Sequence, residues 1–231
     1  MTPGPARPEL RGLRIADDPA TWVRLGFAVG DDGRCVVGGI ALELAGRGAG
    51  AGVVGWTIAG LRSAAQLDGL PTTAHDGVAP ADGEHPNGAV AVDHVVVSTP
   101  DVARTFAALA RAGLDLRRER DAGTPEQPLR QGFYVLGGAL LEVVGPAAPS
   151  GFRPARPASF WGMVLVVADL DALAARLGDG LGTPREAVQP GRRIATLREA
   201  AGSSVALAFM TPRAARRRAA IASWQRFPLN A

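Results

Sequence analysis

A repeated order of predicted secondary structure constrains the fold of this chain more than any other feature of its 231 residues. In residues 91–146, an apolar strand (VDHVVVS) is followed by a helix (DVARTFAALARAG) and by three strands (LDLRRER, GFYVLGG and ALLEVVGP). Val102, Phe106 and Leu109 share one face of the helix, and Gly113 is typical of a helix end. We call this order a βαβββ unit.

The same order recurs in residues 160–212. The segment FWGMVLVVADLDALAARLGDGLG predicts a strand and a helix, and PREAVQ, RRIATLRE and SSVALAFMTP predict three further strands. A distance of 68 positions separates Pro100 from Ala168, and 66 positions separate Glu142 from Ala208. Nearly constant spacing across a whole segment indicates a duplicated unit.

A third, degenerate copy of the unit is predicted in residues 1–70, together with an extra strand, GVVGWTIAGL. Its ALEL sequence around Glu43 resembles LLEVV around Glu142. The chain is therefore predicted to be an α+β protein of two complete units and one incomplete unit.

Two segments are predicted to lie outside the units. Residues 71–90 are rich in Gly, Pro and Asp, which favours a loop or linker in which His75 and His85 are solvated. Residues 213–231 form a basic tail that we expect to be helical, packed on the domain through Ile221, Trp224 and Phe227.

The central sequences DHVVVSTPD and GFYVLGGALLEVVGP, with the second copy of the unit, resemble the vicinal oxygen chelate superfamily. This superfamily contains glyoxalases, bleomycin-resistance proteins and extradiol dioxygenases. The resemblance covers residues 92–212 and, more weakly, residues 13–46. It implies that tandem units form a cupped, mostly antiparallel sheet that holds a ligand. It also implies a homodimer, because family members often pair units between chains.

The resemblance implies a divalent metal, such as Zn, Fe, Ni or Mn, bound by the first and last strands of each unit. His94 and Glu142 match two of these ligand positions in the first unit, where the metal would act as a Lewis acid. The matching positions of the second unit are Gly162 and Ala208, whose side chains cannot bind a metal. Half of the expected ligand set is missing, and two protein ligands are fewer than the three of a usual catalytic zinc site.

Aromatic and basic side chains are further candidates for ligand binding. Phe160 and Trp161 enter the second unit where a metal ligand would lie, and either ring could stack on a ligand or pack in the core. Arg192 and Arg193 begin a strand, so alternation sends at most one of them inward, and we take Arg193 as the candidate. Arg130 holds the corresponding place in the first unit.

The charge and the apolar content of the sequence limit the classes of partner that we expect. The net charge is only +3, which is weak evidence for nucleic-acid binding, and the pI near 10.2 reflects the absence of lysine rather than a basic surface. The N-terminus has no signal-peptide pattern, and no apolar run approaches a membrane span, so we expect a cytoplasmic protein without a membrane partner. The single cysteine, Cys35, is expected to be a buried hydrophobe.

The leading functional prediction is a glyoxalase-like protein that binds a small organic ligand in the cup, and the missing half of the ligand set disfavours metal-dependent chemistry. The alternative is a divalent-metal-dependent lyase, isomerase or dioxygenase that uses His94 and Glu142 with a further ligand. The sequence contains no P-loop, dinucleotide-binding turn, serine nucleophile elbow or zinc finger.

Overall fold

A computed structural model of the protein describes residues 7–63, 67–148 and 156–213. The N-terminal part contains β1 (Glu9–Ile15), α1 (Pro19–Arg24), β2 (Arg34–Val37), β3 (Ile40–Leu44), β4 (Val53–Ala59) and β5 (Thr72–Ala74). The central unit contains β6 (Ala89–Ser98), α2 (Val102–Arg111), β7 (Leu116–Gly123), β8 (Pro128–Leu136) and β9 (Ala139–Pro146). The C-terminal unit contains β10 (Ser159–Val167), α3 (Leu170–Leu177), β11 (Arg185–Glu186), β12 (Arg193–Thr196) and β13 (Ala206–Met210).

The central and C-terminal units share one eight-stranded sheet, with the strand order β11-β12-β13-β10-β6-β9-β8-β7. The units meet at the antiparallel pair β6 and β10. In each unit the first and last strands pair in parallel, and the remaining pairs are antiparallel. The predicted α+β fold, with tandem units in a mostly antiparallel sheet, is confirmed.

The strand register supports the predicted alignment of the two units. Val96 lies opposite Glu142 in the first unit, and Val164 lies opposite Ala208 in the second. The two helices begin in the same way, because Asp101 and Asp169 are both N-caps whose carboxylates accept hydrogen bonds from backbone N–H groups. Helix α2 therefore begins just after Asp101, slightly later than the position of Pro100 predicted.

The N-terminal part forms a five-stranded sheet with the order β2-β3-β1-β4-β5. β1 pairs in parallel with β3 and antiparallel with β4, the predicted extra strand. β5, which lies in the segment predicted as linker, pairs in parallel with β4, and Thr72 accepts a hydrogen bond from the Trp56 indole at 2.7 Å. The parallel pair β1 and β3 corresponds to the parallel pairs β6–β9 and β10–β13 of the larger sheet.

A buried carboxylate attaches the N-terminal part to the last unit. Asp17 is fully buried and accepts hydrogen bonds from the Trp22 indole (3.1 Å), the Ser203 hydroxyl (2.6 Å) and the Ser204 backbone N–H (2.8 Å). Burial by itself would raise the pKa of Asp17, but the hydrogen bonds from Ser203 and Ser204 outweigh it and lower the pKa. Residues before α1 are thus fixed to the turn that precedes β13.

The two histidines of the predicted linker differ in solvent exposure. His75 is exposed, as expected, but His85 is 8% exposed, so the prediction of a solvated side chain is wrong for His85. Its Nδ1 accepts a hydrogen bond from the Ala28 backbone N–H at 3.1 Å, and its Nε2 lies 2.8 Å from the Val36 carbonyl O. The ring therefore joins the end of the linker to two N-terminal backbone segments.

Three further predictions concern the chain as a whole. Cys35 is buried, as predicted, and burial raises the pKa of its thiol to about 12. Among the described residues, none of the helices has the length and apolarity needed to cross a membrane. The predicted tail helix and its anchors, Ile221, Trp224 and Phe227, lie outside the described residues.

Candidate functional site

A cavity of about 620 Å³ lies on the cup face of the eight-stranded sheet, where the two units meet. One wall comes from the central unit and carries the hydrogen-bonding side chains His94, Ser98, Gln131 and Glu142. The predicted alternation is confirmed here, because His94, Val96 and Ser98 all line the cavity, and so do Glu142 and Val144. The polar groups of the cup are thus concentrated in the first unit.

The opposite wall comes from the C-terminal unit and is mostly apolar. Its lining residues include Met163, Val164, Ile194, Ala206 and Ala208, with Arg185 and Thr196 as the polar members. Trp161 also lines the cavity and is 65% exposed, which is unusual for a tryptophan in a central strand. An apolar body with an aromatic group would find contact surface on this wall.

Two of the three register shifts between β6 and β10 lie beside residues that line the cup. The register between β6 and β10 skips Trp161 between Phe160 and Gly162, and it skips Asp93 between Val92 and His94. These two residues are 68 positions apart, so they are equivalent in the two units. A bulge redirects a side chain relative to simple alternation. The equivalent bulges place Trp161 at the cavity and bring the Asp93 carboxylate beside the His94 ring.

His94 is oriented by Asp93. The His94 Nδ1 lies 2.8 Å from an Asp93 carboxylate oxygen, and the other carboxylate oxygen accepts a hydrogen bond from Arg192 Nη1 at 2.6 Å. Burial by itself would raise the pKa of Asp93, but hydrogen bonds from His94 and Arg192 and the Arg192 charge lower it to about 2. Asp93 is therefore a carboxylate that holds the His94 ring with Nε2 towards Glu142.

Glu142 is oriented by a second chain of hydrogen bonds. Arg120 Nε donates to Gln131 Oε1 at 2.5 Å, and Gln131 Nε2 donates to Glu142 Oε1 at 2.6 Å. Arg120 also lies over the Phe133 ring, 5.4 Å from its centroid. The remaining carboxylate oxygen, Glu142 Oε2, lies 3.9 Å from His94 Nε2. The two residues that sequence reasoning paired therefore converge in the cup.

Arg192, rather than its neighbour Arg193, occupies the cup side of β12. Ile194 and Thr196 line the cavity, and alternation puts Arg192 on their side of the sheet. Arg192 is 2% exposed and pairs with Asp93, whereas Arg193 extends from the other face and pairs with Asp171 of α3 at 2.7 Å. Arg193, the predicted ligand-binding candidate, therefore does not line the cavity, and Arg192 lies buried behind the cavity lining.

Of the other predicted ligand-binding residues, one lines the cavity and two do not. Trp161 lines the cavity. Phe160 does not, because its ring packs edge-on against Trp56 of β4, with 5.2 Å between the centroids. Arg130 also lies outside the lining, because it forms an ion pair with Glu119 on the neighbouring strand β7. Asp93 and Arg120 are the functional candidates that sequence reasoning missed, and the Asp-His pair at residues 93 and 94 was the only local signal for the first of them.

The donor set does not fit the metal site that the resemblance implies. His94 and Glu142 supply two donors, and the positions expected to supply the others are Gly162 and Ala208. Within the described residues, no group of three or more His, Cys, Asp or Glu side chains is close enough to hold a metal ion. A Cβ at position 162 would lie well inside van der Waals distance of the Ala206 carbonyl O, so the backbone leaves no room for a ligand there.

The comparisons with known proteins bear on the fold. No family profile matches the chain, and no curated protein matches its sequence. The structure is similar to that of a variant of 4-hydroxymandelate synthase from Streptomyces coelicolor, with a TM-score of 0.58 and 13% identity, over 90% of this chain and 93% of that one. It is also similar to methylmalonyl-CoA epimerase from Mycobacterium tuberculosis, with a TM-score of 0.42 and 19% identity, over 55% of this chain and 91% of that one. The paired units, the cupped sheet and the first of these similarities together show that this chain has the vicinal oxygen chelate fold.

Proposed function

We propose that the protein binds a small organic ligand in the cup and that it does so without a metal ion. The observation that carries this proposal is the division of the cavity into a hydrogen-bonding wall and an apolar wall. A ligand with an apolar body and one polar end matches such a cavity, because the polar groups orient the ligand and the apolar wall removes its body from water. The volume of about 620 Å³ lies within the range that is usual for small-molecule sites.

Trp161 provides a way to detect the ligand. It is 65% exposed at the cavity, whereas Trp22 and Trp56 are buried in the core. The probe is 2-(biphenyl-4-yl)ethanol, which has an aromatic body and one polar end. We expect saturable quenching of tryptophan fluorescence, together with a matching heat signal in calorimetry.

Two variants locate the binding. Trp161→Phe should remove the fluorescence response, and Ala208→Phe should abolish the heat signal, because the larger side chain fills the cavity beside Val164. Neither substitution replaces a fully buried residue, so both variants should fold. If the probe binds Ala208→Phe as tightly as the wild type, or if neither this probe nor its analogues with another polar end bind the wild type, the proposal is wrong.

The convergence of His94 and Glu142 favours a second candidate function, a divalent-metal-dependent lyase, isomerase or dioxygenase. This function requires further donors from water, from the substrate or from outside the described residues. Metal analysis of protein purified without chelators distinguishes the two candidates. Stoichiometric metal that is lost in His94→Ala would replace our proposal with the second one.

A further inference from the structure

We propose that the polar end of the ligand is a protonated amine, held between His94 Nε2 and Glu142 Oε2. This inference rests on the proposed ligand-binding function of the cup, and it names the chemical class of the ligand. It follows from the hydrogen-bonding character of these two atoms, which their neighbours determine.

The first atom, His94 Nε2, is an acceptor in the neutral ring. Arg192 donates to one oxygen of Asp93, so Asp93 is a carboxylate and can only accept. The hydrogen bond between Asp93 and His94 Nδ1 must then be donated by the ring. A neutral imidazole with its proton on Nδ1 presents a lone pair at Nε2.

The second atom, Glu142 Oε2, is also an acceptor. The Gln131 amide is oriented by Arg120, which donates to Oε1 of the amide, so the Gln131 Nε2 group faces Glu142 and donates to its Oε1. A carboxylate that is fixed in this way directs its remaining lone pairs from Oε2. The second oxygen of Glu142 is therefore available to a ligand.

The two acceptors face each other at 3.9 Å, and within the described part of the chain neither receives a hydrogen bond from another group. This separation is too long for a hydrogen bond between them. A nitrogen placed between them can lie about 2.9 Å from each atom, which is the usual N–H···O distance. One ligand atom that donates two hydrogen bonds would therefore satisfy both acceptors.

An ammonium group meets this requirement better than other polar groups. An alcohol has one O–H and can donate to only one of the two acceptors, and a carboxylate would add a third acceptor. Two cations next to this pair of residues are engaged, since Arg192 pairs with Asp93 and Arg120 donates to Gln131, and the cation that lines the cavity, Arg185, belongs to the opposite wall. The charge of Glu142 therefore favours a cationic ligand through a charge-assisted hydrogen bond.

The test compares three probes with the same biphenyl body: 2-(biphenyl-4-yl)ethylamine, 2-(biphenyl-4-yl)ethanol and 3-(biphenyl-4-yl)propionate. Calorimetry is performed at about pH 8, where an alkylamine is protonated. A chelator is present, so that no metal competes for the acceptors. We expect the amine to bind at least about tenfold more tightly than the alcohol, and the carboxylate to bind most weakly.

Glu142→Gln is the decisive variant, because it removes the charge and places a donor where Oε2 was. The advantage of the amine over the alcohol should then fall to about threefold or less. Glu43→Gln is the matched control, since Glu43 lies on β3, away from the cup, and pairs with Arg14 at the surface. This control should keep the wild-type order of the probes.

The outcomes separate this inference from the proposed function. If the alcohol binds in the cup as tightly as the amine, the inference is overturned and the proposed function stands. If the amine is preferred equally in the wild type and in Glu142→Gln, the inference is also overturned. If none of the three probes binds the wild type, both proposals fail. The comparison of probes on the wild type needs no variant, so the test does not depend on the folding of Glu142→Gln.

Discussion

Replacing Arg192 by methionine tests whether the ion pair beneath the cup stabilises the fold. Asp93 and Arg192 have side chains that are 7% and 2% exposed, and they form a 2.6 Å contact. Methionine preserves much of the volume of the arginine stem but leaves the Asp93 carboxylate buried without its cation. Breaking a buried ion pair in this way costs about 3–5 kcal/mol in the free energy of unfolding.

The pKa of Asp93 gives a second measure of how much this carboxylate contributes to the free energy of unfolding. A decrease from 3.8 to about 2 corresponds to about 2 kcal/mol of stability, which the His94 hydrogen bond and Arg192 supply together. Because the pKa is depressed in the folded state, this contribution is present above the pKa of the unfolded chain, about 3.9, and is lost as the pH falls towards 2. Arg192→Met should therefore lose about 3 kcal/mol at neutral pH. The loss should shrink below about pH 5, because Asp93 in the variant can take up a proton.

Urea unfolding followed by circular dichroism, at about pH 7 and pH 4.5, measures both effects. Arg193→Met is the matched control, since Arg193 is the next residue and its ion pair with Asp171 is exposed, which makes a small change the expectation. The double variant Asp93→Asn, Arg192→Met should recover about 2 kcal/mol, because no charge is left buried. If Arg192→Met is no less stable than Arg193→Met at neutral pH, or if its deficit is independent of pH, then the pair does not stabilise the fold as argued.

Two further predictions concern backbone contacts. Gly162→Ala should lower the melting temperature strongly, because the new methyl group would collide with the Ala206 carbonyl O. Gly138→Ala is the control and should change the melting temperature little, because the space around Gly138 is open. Equal melting temperatures of the two variants would contradict the close approach of β10 and β13. His85→Ala should lower the free energy of unfolding by about 2–4 kcal/mol, measured in urea, because it leaves the Ala28 N–H and the Val36 C=O without their partner. His75 is exposed, so the control His75→Ala should lower it far less. An equal loss in the two variants would show that His85 does not join these segments.

Much of the fold could be predicted from periodicity and spacing. The constant offset between the units aligned His94 with Gly162 and Glu142 with Ala208, and the parallel strand registers agree with this alignment. The resemblance to the vicinal oxygen chelate superfamily paired His94 with Glu142, and the structure brings the two side chains to 3.9 Å. Such patterns are readable because they depend only on local geometry, in which side chains alternate along a strand.

The parts that could not be predicted depend on departures from that geometry or on distant partners. Simple alternation would place Asp93 and His94 on opposite faces, and only the bulge brings their side chains together. His85 lies in a segment of loop composition, yet its partners are Ala28 and Val36, which are 57 and 49 positions away. Local composition contains no information about such partners, which is why a buried residue was expected to be solvated.

The attachment of Asp17 has a consequence for the order in which the protein matures. Asp17 is separated from Ser203 and Ser204 by 186 and 187 positions, and a chain is synthesised from its N-terminus. The first strand is therefore complete long before the residues that satisfy the neighbouring carboxylate leave the ribosome. Until those serines are made, the side-chain partners of the Asp17 carboxylate are the Trp22 indole and the Arg47 guanidinium, whose Nε lies 3.4 Å from it. The contact that joins the N-terminal sheet to the last unit can therefore form only after β12 has been synthesised.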